Sequence, residues 1–429
     1  MENISKGQNC NFARRDFINT SASISLAGIA AMGSSSFAAG SDKLRVGLIG
    51  CGGRGTGAAM DCVNSSENVE IVAMGDIFKD HLDKSLARMS KIVDDKVNVT
   101  NETSFTGFDA YKKVLACDVD MVILGTPPHF RPIHLKAAIE AGKHVFMEKP
   151  VAVDPVGIRS VIESSLLAKK KKLAIVAGTQ RRHQDHYLQI MKKIHDGDIG
   201  EIKTASCYWN QGGLWVKPQR PEWSDMEWQC RNWLYFTWLS GDHITEQHVH
   251  NLDVINWAIG SHPIKCTGIG GRQVRTAPEY GNIFDHFSVE YEYPNGIRVM
   301  STCRQTEGCS DQVSEFIQGT KGSVYTDSRT GYIEGAKSFK YEGKSPNPYE
   351  QEHADLIASI RKGKPLNEGI RIAESTLTAI MGRMSAYTGR ALKWDWVLKS
   401  SKLNLSPEKY EFGPLAVREV AIPGKTPLI

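Results

Sequence analysis

Apolar and polar residues are arranged in blocks along the first part of the chain. The segments "LRVGLI" and "VDMVILG" have the closely spaced apolar residues of buried strands, and "HLKAAIEAGK" has the three-to-four-residue spacing of a helix. Strands that alternate with helices in this way predict a parallel, doubly wound sheet. The first part of the chain is therefore predicted to be an α/β domain.

A different pattern follows, in which apolar and polar residues alternate one by one. It occurs in "GEIKTASCYWN", "HFSVEYEYPNGIRVM" and "DQVSEFIQG", and Pro-Asn-Gly marks a hairpin turn in the second of these. Helical spacing returns in "YEQEHADLIASIRKGK" and "IRIAESTLTAIMGRMSAYTG". We therefore predict a C-terminal α+β domain with a large, mostly antiparallel open sheet.

The first residues differ from both domains. Arg14 and Arg15 precede a mildly apolar run and a small-residue cleavage site near Ala38 or Ala39, which is typical of a twin-arginine export signal. A frayed cytosolic N-terminus is the alternative. No later segment is apolar enough to span a bilayer, and the expected location is the periplasm. The predicted organisation is a signal at 1–39, a nucleotide-binding domain at 43–165 and a substrate-binding and oligomerisation domain at 166–429.

Charge and cysteine content narrow the function classes. The net charge is +4 over 429 residues and no basic patch is interleaved with aromatic residues, so no nucleic-acid partner is expected. Nine cysteines are present without a C-x-x-C pair. Because twin-arginine export carries folded proteins, we expect free buried thiols and no disulfide framework.

The first strand leads into a glycine-rich turn. Gly50, Gly52 and Gly55 have the G-x-G-x-x-G spacing between a strand and a helix start, which predicts a dinucleotide site. The next strand ends at Asp76, 21 residues after Gly55. A carboxylate there can accept hydrogen bonds from the adenosine ribose and repel a 2′-phosphate. NAD is therefore preferred to NADP, unless Asp76 is only a turn residue.

Five motifs together carry a family resemblance. The segments "GLIGCGGRGTG", "TPPHF", "AGKHVFMEKP", "GTQRR" and "HITEQHVHNLD" resemble those of the Gfo/Idh/MocA oxidoreductases, which include glucose–fructose oxidoreductase and inositol dehydrogenase. The resemblance covers nearly all of the chain after the signal. It implies an N-terminal Rossmann fold, late helices that pack back on the first domain, and a homodimer or homotetramer.

The resemblance also implies three catalytic residues. In the family, the lysine of "EKP" lies between the nicotinamide and the reacting hydroxyl, and a later helix supplies an acidic residue and, four residues on, a histidine. The matching positions are Lys149, Glu246 and His250. This chain departs from the family in having glutamate in place of aspartate, His248 where a small residue is usual, and Arg131 where many relatives have a second histidine.

The chemistry of these residue types supports the same roles. His250 suits a general base for the hydroxyl proton, Glu246 can hold its ring, and Lys149 can stabilise the developing alkoxide. If residues 242–257 form one helix, one face carries Asp242, Glu246, His250 and Asp253.

The density of histidines in this segment also raises the question of a metal site. His243, His248 and His250 lack the H-E-x-x-H spacing, and a helix does not bring all three together. No cysteine pair assists them. We therefore expect no metal, and purely structural histidines remain the other alternative to catalysis.

An aromatic segment precedes the histidines. Six of the nine tryptophans lie between Trp209 and Trp238. Because tryptophan faces stack on sugars, we predict a carbohydrate-binding cleft wall that includes Trp209 and Trp215, with a packed loop or subunit interface as the alternative. Gln180 and Arg182 alternate at an extended strand end and are expected to face the site, although a structural salt bridge is the alternative for the arginine.

The expected ligand sites follow from these assignments. Substrate contacts are expected from Lys149, Arg182, Trp209, Trp215 and His250. Cofactor contacts are expected from Gly50, Gly52, Gly53, Arg54, Gly55, Asp76, Thr126, Pro127, His129, Glu148, Lys149 and Gln180.

These features predict a periplasmic NAD-dependent dehydrogenase that acts on a secondary hydroxyl of a sugar or glycoside. The family and the aromatic segment favour C3 of a pyranoside. Because no free NAD pool is expected outside the cytoplasm, the cofactor is predicted to stay tightly bound and to be recycled in place. Two alternatives remain: an NAD-dependent glycosidase that works by oxidation, elimination, hydration and reduction, and a binding protein with a vestigial nucleotide fold.

Overall fold

The first sheet has six parallel strands. A computed structural model describes residues 43–429, so the predicted export signal lies outside the described residues. The strands are β1 (Leu44–Ile49), β2 (Val69–Asp76), β3 (Ser104–Thr106), β4 (Met121–Leu124), β5 (His144–Met147) and β6 (Ile175–Ala177). Their order is β3-β2-β1-β4-β5-β6. The order changes direction between β1 and β4, and ligands bind at such a switch point beyond the carboxyl ends of the strands.

Five helices connect these strands: α1 (Gly53–Ser65), α2 (Lys79–Ile92), α3 (Ala110–Ala116), α4 (Arg131–Glu140) and α5 (Pro155–Lys171). The last of them begins where the Asp154 side chain accepts a hydrogen bond from the backbone N–H of Gly157, and it ends in a run of lysines that suits a helix C-terminus. The predicted domain boundary at residue 165 falls inside α5. Because β6 extends the first sheet beyond that point, this sheet continues to residue 177.

The second sheet has nine strands. They are β7 (Ile202–Gln211), β8 (Lys265–Gly271), β9 (His286–Glu292), β10 (Arg298–Gln305), β11 (Gln312–Gly319), β12 (Gly322–Asp327), β13 (Gly331–Gly335), β14 (Phe339–Lys340) and β15 (Leu392–Lys393). Their order is β14-β13-β12-β11-β7-β10-β9-β8-β15, and all neighbours are antiparallel except β7 and β10. The predicted hairpin is formed by β9 and β10 around Pro294–Gly296. The predicted fold class is confirmed.

The remaining helices are α6 (Asp185–His195), α7 (Asp225–Arg231), α8 (Thr237–Ser240), α9 (His243–Glu246), α10 (Val249–Ile259), α11 (Pro348–Arg361), α12 (Gly369–Thr388) and α13 (Trp394–Lys399). Helix α11 packs against α1, where Arg361 donates to the hydroxyl of Ser66 and the backbone oxygen of Glu67. Helix α12 packs against α5, α10 and β8, so it joins the first sheet's helices to the second sheet.

Two properties of the described residues bear on the expectations above. Within residues 43–429, no helix is long and apolar enough to cross a membrane. The eight cysteines of the same range are free thiols, and most of them are buried.

Candidate active site

The glycine turn after β1 has an open outer face. Gly50 has φ +98°, a conformation that favours glycine. A Cβ on Gly55 would collide with the carbonyl oxygen of Gly50, so α1 can start this close to the strand only without a side chain. A Cβ on Gly52 or Gly53 would meet no atom within 4 Å. The turn therefore fits a diphosphate, which needs close approach to backbone N–H groups.

A cavity of about 560 Å³ lies in front of this turn, and Asp76 is part of its wall. The Asp76 carboxylate accepts hydrogen bonds from the backbone N–H of Cys51 at 2.7 Å and of Phe78 at 2.8 Å, which hold it at the end of β2. A carboxylate in this place can also accept hydrogen bonds from ribose hydroxyls. The expected cofactor residues that line the cavity are Gly50, Gly52, Gly53, Arg54, Asp76, Thr126 and Pro127.

Arg54 and Glu148 form an ion pair beside the cavity. Nε of Arg54 donates to Oε1 of Glu148 at 2.6 Å, and its Nη2 donates to Asp61 at 3.2 Å. Glu148 is buried against Gly178, where a Cβ would lie 2.6 Å from its Oε2. Arg54 lines the cavity and Glu148 does not, so Glu148 holds the guanidinium at the cavity wall.

Lys149 meets the second domain just after β5. Its ammonium group donates to the backbone oxygen of Glu246 at 2.6 Å and to Oε1 of the same residue at 2.9 Å. Only 14% and 13% of the two side chains are exposed, so water screens this pair weakly. The contact joins the carboxyl end of the first sheet to α9, four residues before His250.

His250 is buried beside this ion pair. Its ring stacks on Trp209, with centroids 5.7 Å apart and planes at 19°. Burial, and then the positive charges of Lys149 and Arg181, lower the pKa of His250 well below its usual value, so the imidazole is neutral near pH 7. Within the described chain its ring forms no hydrogen bond. The expectation that Glu246 holds this ring is wrong, because Glu246 is engaged with Lys149.

The predicted helix over residues 242–257 is two helices, α9 and α10, separated at residues 247–248. Asp242 has φ +70° and accepts a hydrogen bond from the hydroxyl of Tyr387 at 2.5 Å, which holds it outside helical geometry. Asp253 pairs with arginine side chains of other elements. The single helical face expected to carry Asp242, Glu246, His250 and Asp253 is therefore not formed.

Arg182 forms a buried salt bridge and does not face the candidate site. Its Nε and Nη2 donate to the two oxygens of Asp253 at 2.8 and 3.0 Å, and its guanidinium lies 4.5 Å from the centre of the Trp257 ring. The expected substrate contact is corrected because residues 180–183 form a 3₁₀ turn in place of an extended strand end. Gln180 donates to the hydroxyl of Tyr349 at 3.3 Å, and its buried Oε1 has no partner within residues 43–429.

His129, on the turn before α4, and Arg131, the first residue of α4, both contact other residues in the protein interior. Nε2 of His129 lies 2.8 Å from the hydroxyl of Tyr410. The expected cofactor contact of His129 is corrected, because its ring does not line the cofactor cavity. The fully buried Arg131 donates to the backbone oxygens of Leu124 and Thr126 at 3.0 and 2.5 Å. Arg131 therefore holds the loop after β4, which contributes Gly125, Thr126 and Pro127 to the cavity wall.

The six tryptophans of the aromatic segment are divided among three places. Trp209 stacks on His250, whereas Trp215 and Trp233 line the cofactor cavity and contact each other edge to face. The predicted single cleft wall is therefore not formed, and Trp215 lies at the cofactor cavity. The other tryptophans pack into an aromatic core cluster and are Trp223, Trp228 and Trp238.

Arg181 is a site residue that the sequence analysis did not select. It is buried, forms an ion pair with Glu315, and lies 5.8 Å from the centre of the Trp209 ring. Its charge helps to lower the pKa of His250. The motif "GTQRR" contains both arginines, but on the expected extended strand Arg181 would point away from the side of Gln180 and Arg182.

The other two histidines of the segment are buried in the second domain. Nε2 of His248 lies 2.7 Å from the hydroxyl of Ser301, and the ring of His243 packs edge to face on Phe287. Burial lowers the pKa of His248 to about 3 and that of His243 well below its usual value. Within residues 43–429, no group of three or more His, Cys, Asp or Glu side chains is placed to hold a metal ion.

Two family models match the chain. The model of an oxidoreductase family with an NAD-binding Rossmann fold, GFO/IDH/MocA, matches residues 44–179. The model of the GFO/IDH/MocA C-terminal domain matches residues 187–325. Together they cover more than half of the 429 residues.

Named relatives are similar over part of the chain. A 2,7-anhydro-N-acetylneuraminate hydratase of Escherichia coli (strain K12) is 28% identical over 251 residues, which are 58% of this chain and 62% of the hydratase. An inositol 2-dehydrogenase of Rhizobium meliloti (strain 1021) is 23% identical over 270 residues, which are 59% of this chain and 76% of that enzyme. The match thus spans less than two thirds of the hydratase.

Solved structures share the fold. An aldose-aldose oxidoreductase from Caulobacter crescentus has a TM-score of 0.63 at 18% identity, and the match covers 82% of this chain and 99% of that one. An oxidoreductase domain protein from Kribbella flavida has a TM-score of 0.67 at 16% identity, with coverage of 82% and 99%. At these identities the likeness concerns the fold.

Proposed function

Because the chain belongs to the GFO/IDH/MocA oxidoreductase family, we propose that it oxidises a secondary hydroxyl of a sugar or glycoside and passes the hydride to NAD. The observation that carries the proposal is the meeting of Lys149 with Glu246 beside a neutral His250. Lys149 follows β5 of the nucleotide-binding sheet, and the other two residues come from the second domain. Relatives named inositol 2-dehydrogenase support a polyhydroxylated substrate.

The proton and the hydride of the substrate have different acceptors. His250 accepts the hydroxyl proton, because its imidazole is neutral and its ring nitrogens have no competing partner in the described chain. Lys149 stabilises the negative charge that develops on the substrate oxygen, and Glu246 holds the lysine in place. NAD bound at the glycine turn would supply the acceptor for the hydride from the carbon that carries the hydroxyl.

We further propose C3 of a pyranoside as the oxidised carbon, a cofactor that stays bound, and a periplasmic location. Arg14 and Arg15 in the first residues support export in the folded state. A bound cofactor then needs a second sugar or another keto acceptor to take the hydride back. The ring of Trp209, next to His250, supports a pyranoside because apolar sugar faces stack on tryptophan.

A redox-neutral reaction is the second candidate, and the hydratase among the relatives favours it. Oxidation at C3 acidifies the proton on C2, so a base can remove it and the aglycone can leave. Water then adds to the unsaturated ketone, and the hydride returns to C3. The product is the free sugar, with no net oxidation.

The two candidates differ in their products. We would incubate the purified protein with aryl glycosides, with and without an added keto-sugar acceptor, and analyse the products by mass spectrometry and NMR. A 3-keto glycoside with its aglycone intact, formed with the acceptor, is the expected result. Release of the aglycone with recovery of the ordinary sugar would establish the second candidate. The His250→Asn variant is the control, since it should lose either reaction.

A further inference from the structure

We propose that residues 212–233 of the second domain, here called the covering segment, form part of the cofactor site and retain the dinucleotide. The inference rests on the proposed function only in taking the ligand to be NAD. It adds to that function a latch between the two domains, made by Arg231 and Asp80, that opens for nucleotide release.

The cofactor cavity has walls from both domains. On one side are the glycine turn and the residues that follow β2, including Asp76. On the other side, the covering segment contributes Trp215, Lys217, Cys230, Arg231 and Trp233. A ligand in contact with the glycine turn is therefore also enclosed by side chains that the nucleotide-binding sheet does not supply.

The loop that carries Trp215 is fixed on both sides. The backbone N–H of Lys217 donates to Oδ1 of Asn232 at 2.9 Å, and Nε1 of Trp228 donates to the backbone oxygen of Lys217 at 2.8 Å. The hydroxyl of Tyr235 donates to the backbone oxygen of Leu214 at 3.1 Å. These bonds hold the tryptophan ring at the cavity although 44% of the residue is exposed.

Arg231 connects the covering segment to the first domain. Its Nη2 donates to Oδ1 of Asp80 at 3.0 Å, and its Nε donates to Glu227 at 2.9 Å. The guanidinium also lies 3.9 Å from the centre of the Phe78 ring. Asp80 lies in the first turn of α2, four residues beyond the strand end at Asp76, and Arg231 lines the same cavity as Asp76.

The C-terminal residues form an outer layer over the same place. The ring of Phe412 stacks on Phe78 with centroids 5.7 Å apart and planes at 8°. The backbone N–H of Met226 donates to Gly413 at 3.1 Å, and Gln229 donates to the backbone oxygen of Leu415 at 2.7 Å. Helix α7, which ends at Arg231, is thus held between the cavity and this layer.

Lys217 adds a cation that faces the ligand. Among the described residues it forms no salt bridge, and its ammonium lies 5.3 Å from the centre of the Trp215 ring. Burial, and then the charge of Arg231, lower the pKa of Lys217. An anionic dinucleotide in the cavity would offset the repulsion between Lys217 and Arg231.

The test measures nucleotide release and not turnover. Wild-type protein would be loaded with NADH, passed over a desalting column, and assayed for retained nucleotide and for the dissociation rate by NADH fluorescence. We expect Asp80→Asn and Arg231→Gln each to raise the dissociation rate on the order of tenfold, and the double variant to add little to either. Asp83→Asn is the matched control, because its ion pair with Lys79 lies on the exposed face of the same helix.

Equal dissociation rates in wild type, Asp80→Asn and Arg231→Gln would overturn the latch. The Asp80 variant keeps the side-chain size at a half-exposed position, and circular dichroism would show that each variant is folded. Trp215→Ala provides an independent measurement, and an unchanged rate there would remove Trp215 from the site. If the two latch variants release NADH faster than the wild type but the wild type oxidises no glycoside, the proposed function fails while the latch stands.

Discussion

Nζ of Lys149 and Oε1 of Glu246 lie 2.9 Å apart, so a carboxylate of the second domain neutralises the ammonium group at the end of the first sheet. The two residues are 97 positions apart in the chain. The charge of Lys149 also acts on His250, whose pKa it lowers. This relationship makes the pH dependence of the reaction sensitive to both members of the pair.

The substitution of Lys149 and the substitution of Glu246 should shift the pH profile of kcat/KM in opposite directions. Lys149→Met removes a charge that lowers the pKa of His250, so the acid limb moves to higher pH, and kcat falls about 10²- to 10⁴-fold. Glu246→Gln leaves the lysine charge without its counter-ion, so the acid limb moves to lower pH. Profiles of both variants with a fixed glycoside check this, and shifts in the same direction would contradict it.

Trp209 and Trp215 should affect different ligands. Trp209→Ala removes the ring against which His250 is stacked and is expected to lower kcat by about tenfold, whereas Trp209→Phe keeps an aromatic face and most of the activity. Trp215→Ala should leave the KM for the sugar unchanged, because that ring lines the cofactor cavity. Steady-state kinetics with varied sugar measures both effects. A raised sugar KM in Trp215→Ala alone would restore the sequence-based assignment.

Asp76→Asn should weaken both cofactor selectivity and the turn at the end of β2. The amide nitrogen cannot accept the hydrogen bond from Cys51 or Phe78, which should reduce the free energy of unfolding by about 1–3 kcal/mol. The loss of negative charge should also raise the ratio of kcat/KM with NADP to that with NAD. Chemical denaturation and kinetics with both nucleotides test the two parts separately. An unchanged ratio would assign Asp76 to the turn alone.

Arg182→Gln should destabilise the fold and leave sugar recognition intact. The substitution removes a guanidinium that donates to both oxygens of the buried Asp253. The loss of such a partner lowers the free energy of unfolding by about 3 kcal/mol or more. Arg371 also contacts Asp253 and reduces the loss. Urea denaturation and the sugar KM are the measurements, and Arg220→Gln, at an exposed ion pair, is the matched control. A large rise in KM with normal stability would return Arg182 to the substrate site.

Acidification should destabilise the protein from about pH 6.5 downward. Burial lowers the pKa of His129, His134 and His248 to about 3, so these rings stay neutral in the folded protein while the unfolded chain takes up protons. Each such histidine makes the free energy of unfolding fall by about 1.4 kcal/mol per pH unit between the two pKa values. Above pH 6.5 these histidines are neutral in both the folded and the unfolded chain, so they no longer make the free energy of unfolding depend on pH. His129→Gln should reduce the slope measured by denaturation between pH 7 and 5, and an equal slope would contradict the assignment.

Local pattern determined the fold class and the cofactor turn. The spacing of apolar residues identified both sheets, because the period of burial depends on neighbours within a few positions. Gly50 and Gly55 were identified in the same way, because a turn that requires glycine produces a recognisable spacing of glycines. Asp76 was identified from its place at the end of the next strand. Lys149 was identified through the family resemblance of its motif, and the structure places it directly after β5, at the edge of the sheet where ligands bind.

Tertiary structure alone decided which side chains contact each other. Arg182 pairs with Asp253, 71 residues away, and Trp209 replaces Glu246 as the neighbour of the His250 ring. The helix expected over residues 242–257 is interrupted, because buried hydrogen bonds to distant residues outweigh helix propensity. Such contacts depend on how the two sheets pack. The spacing of apolar residues along the chain contains no information on which distant residues the fold brings together.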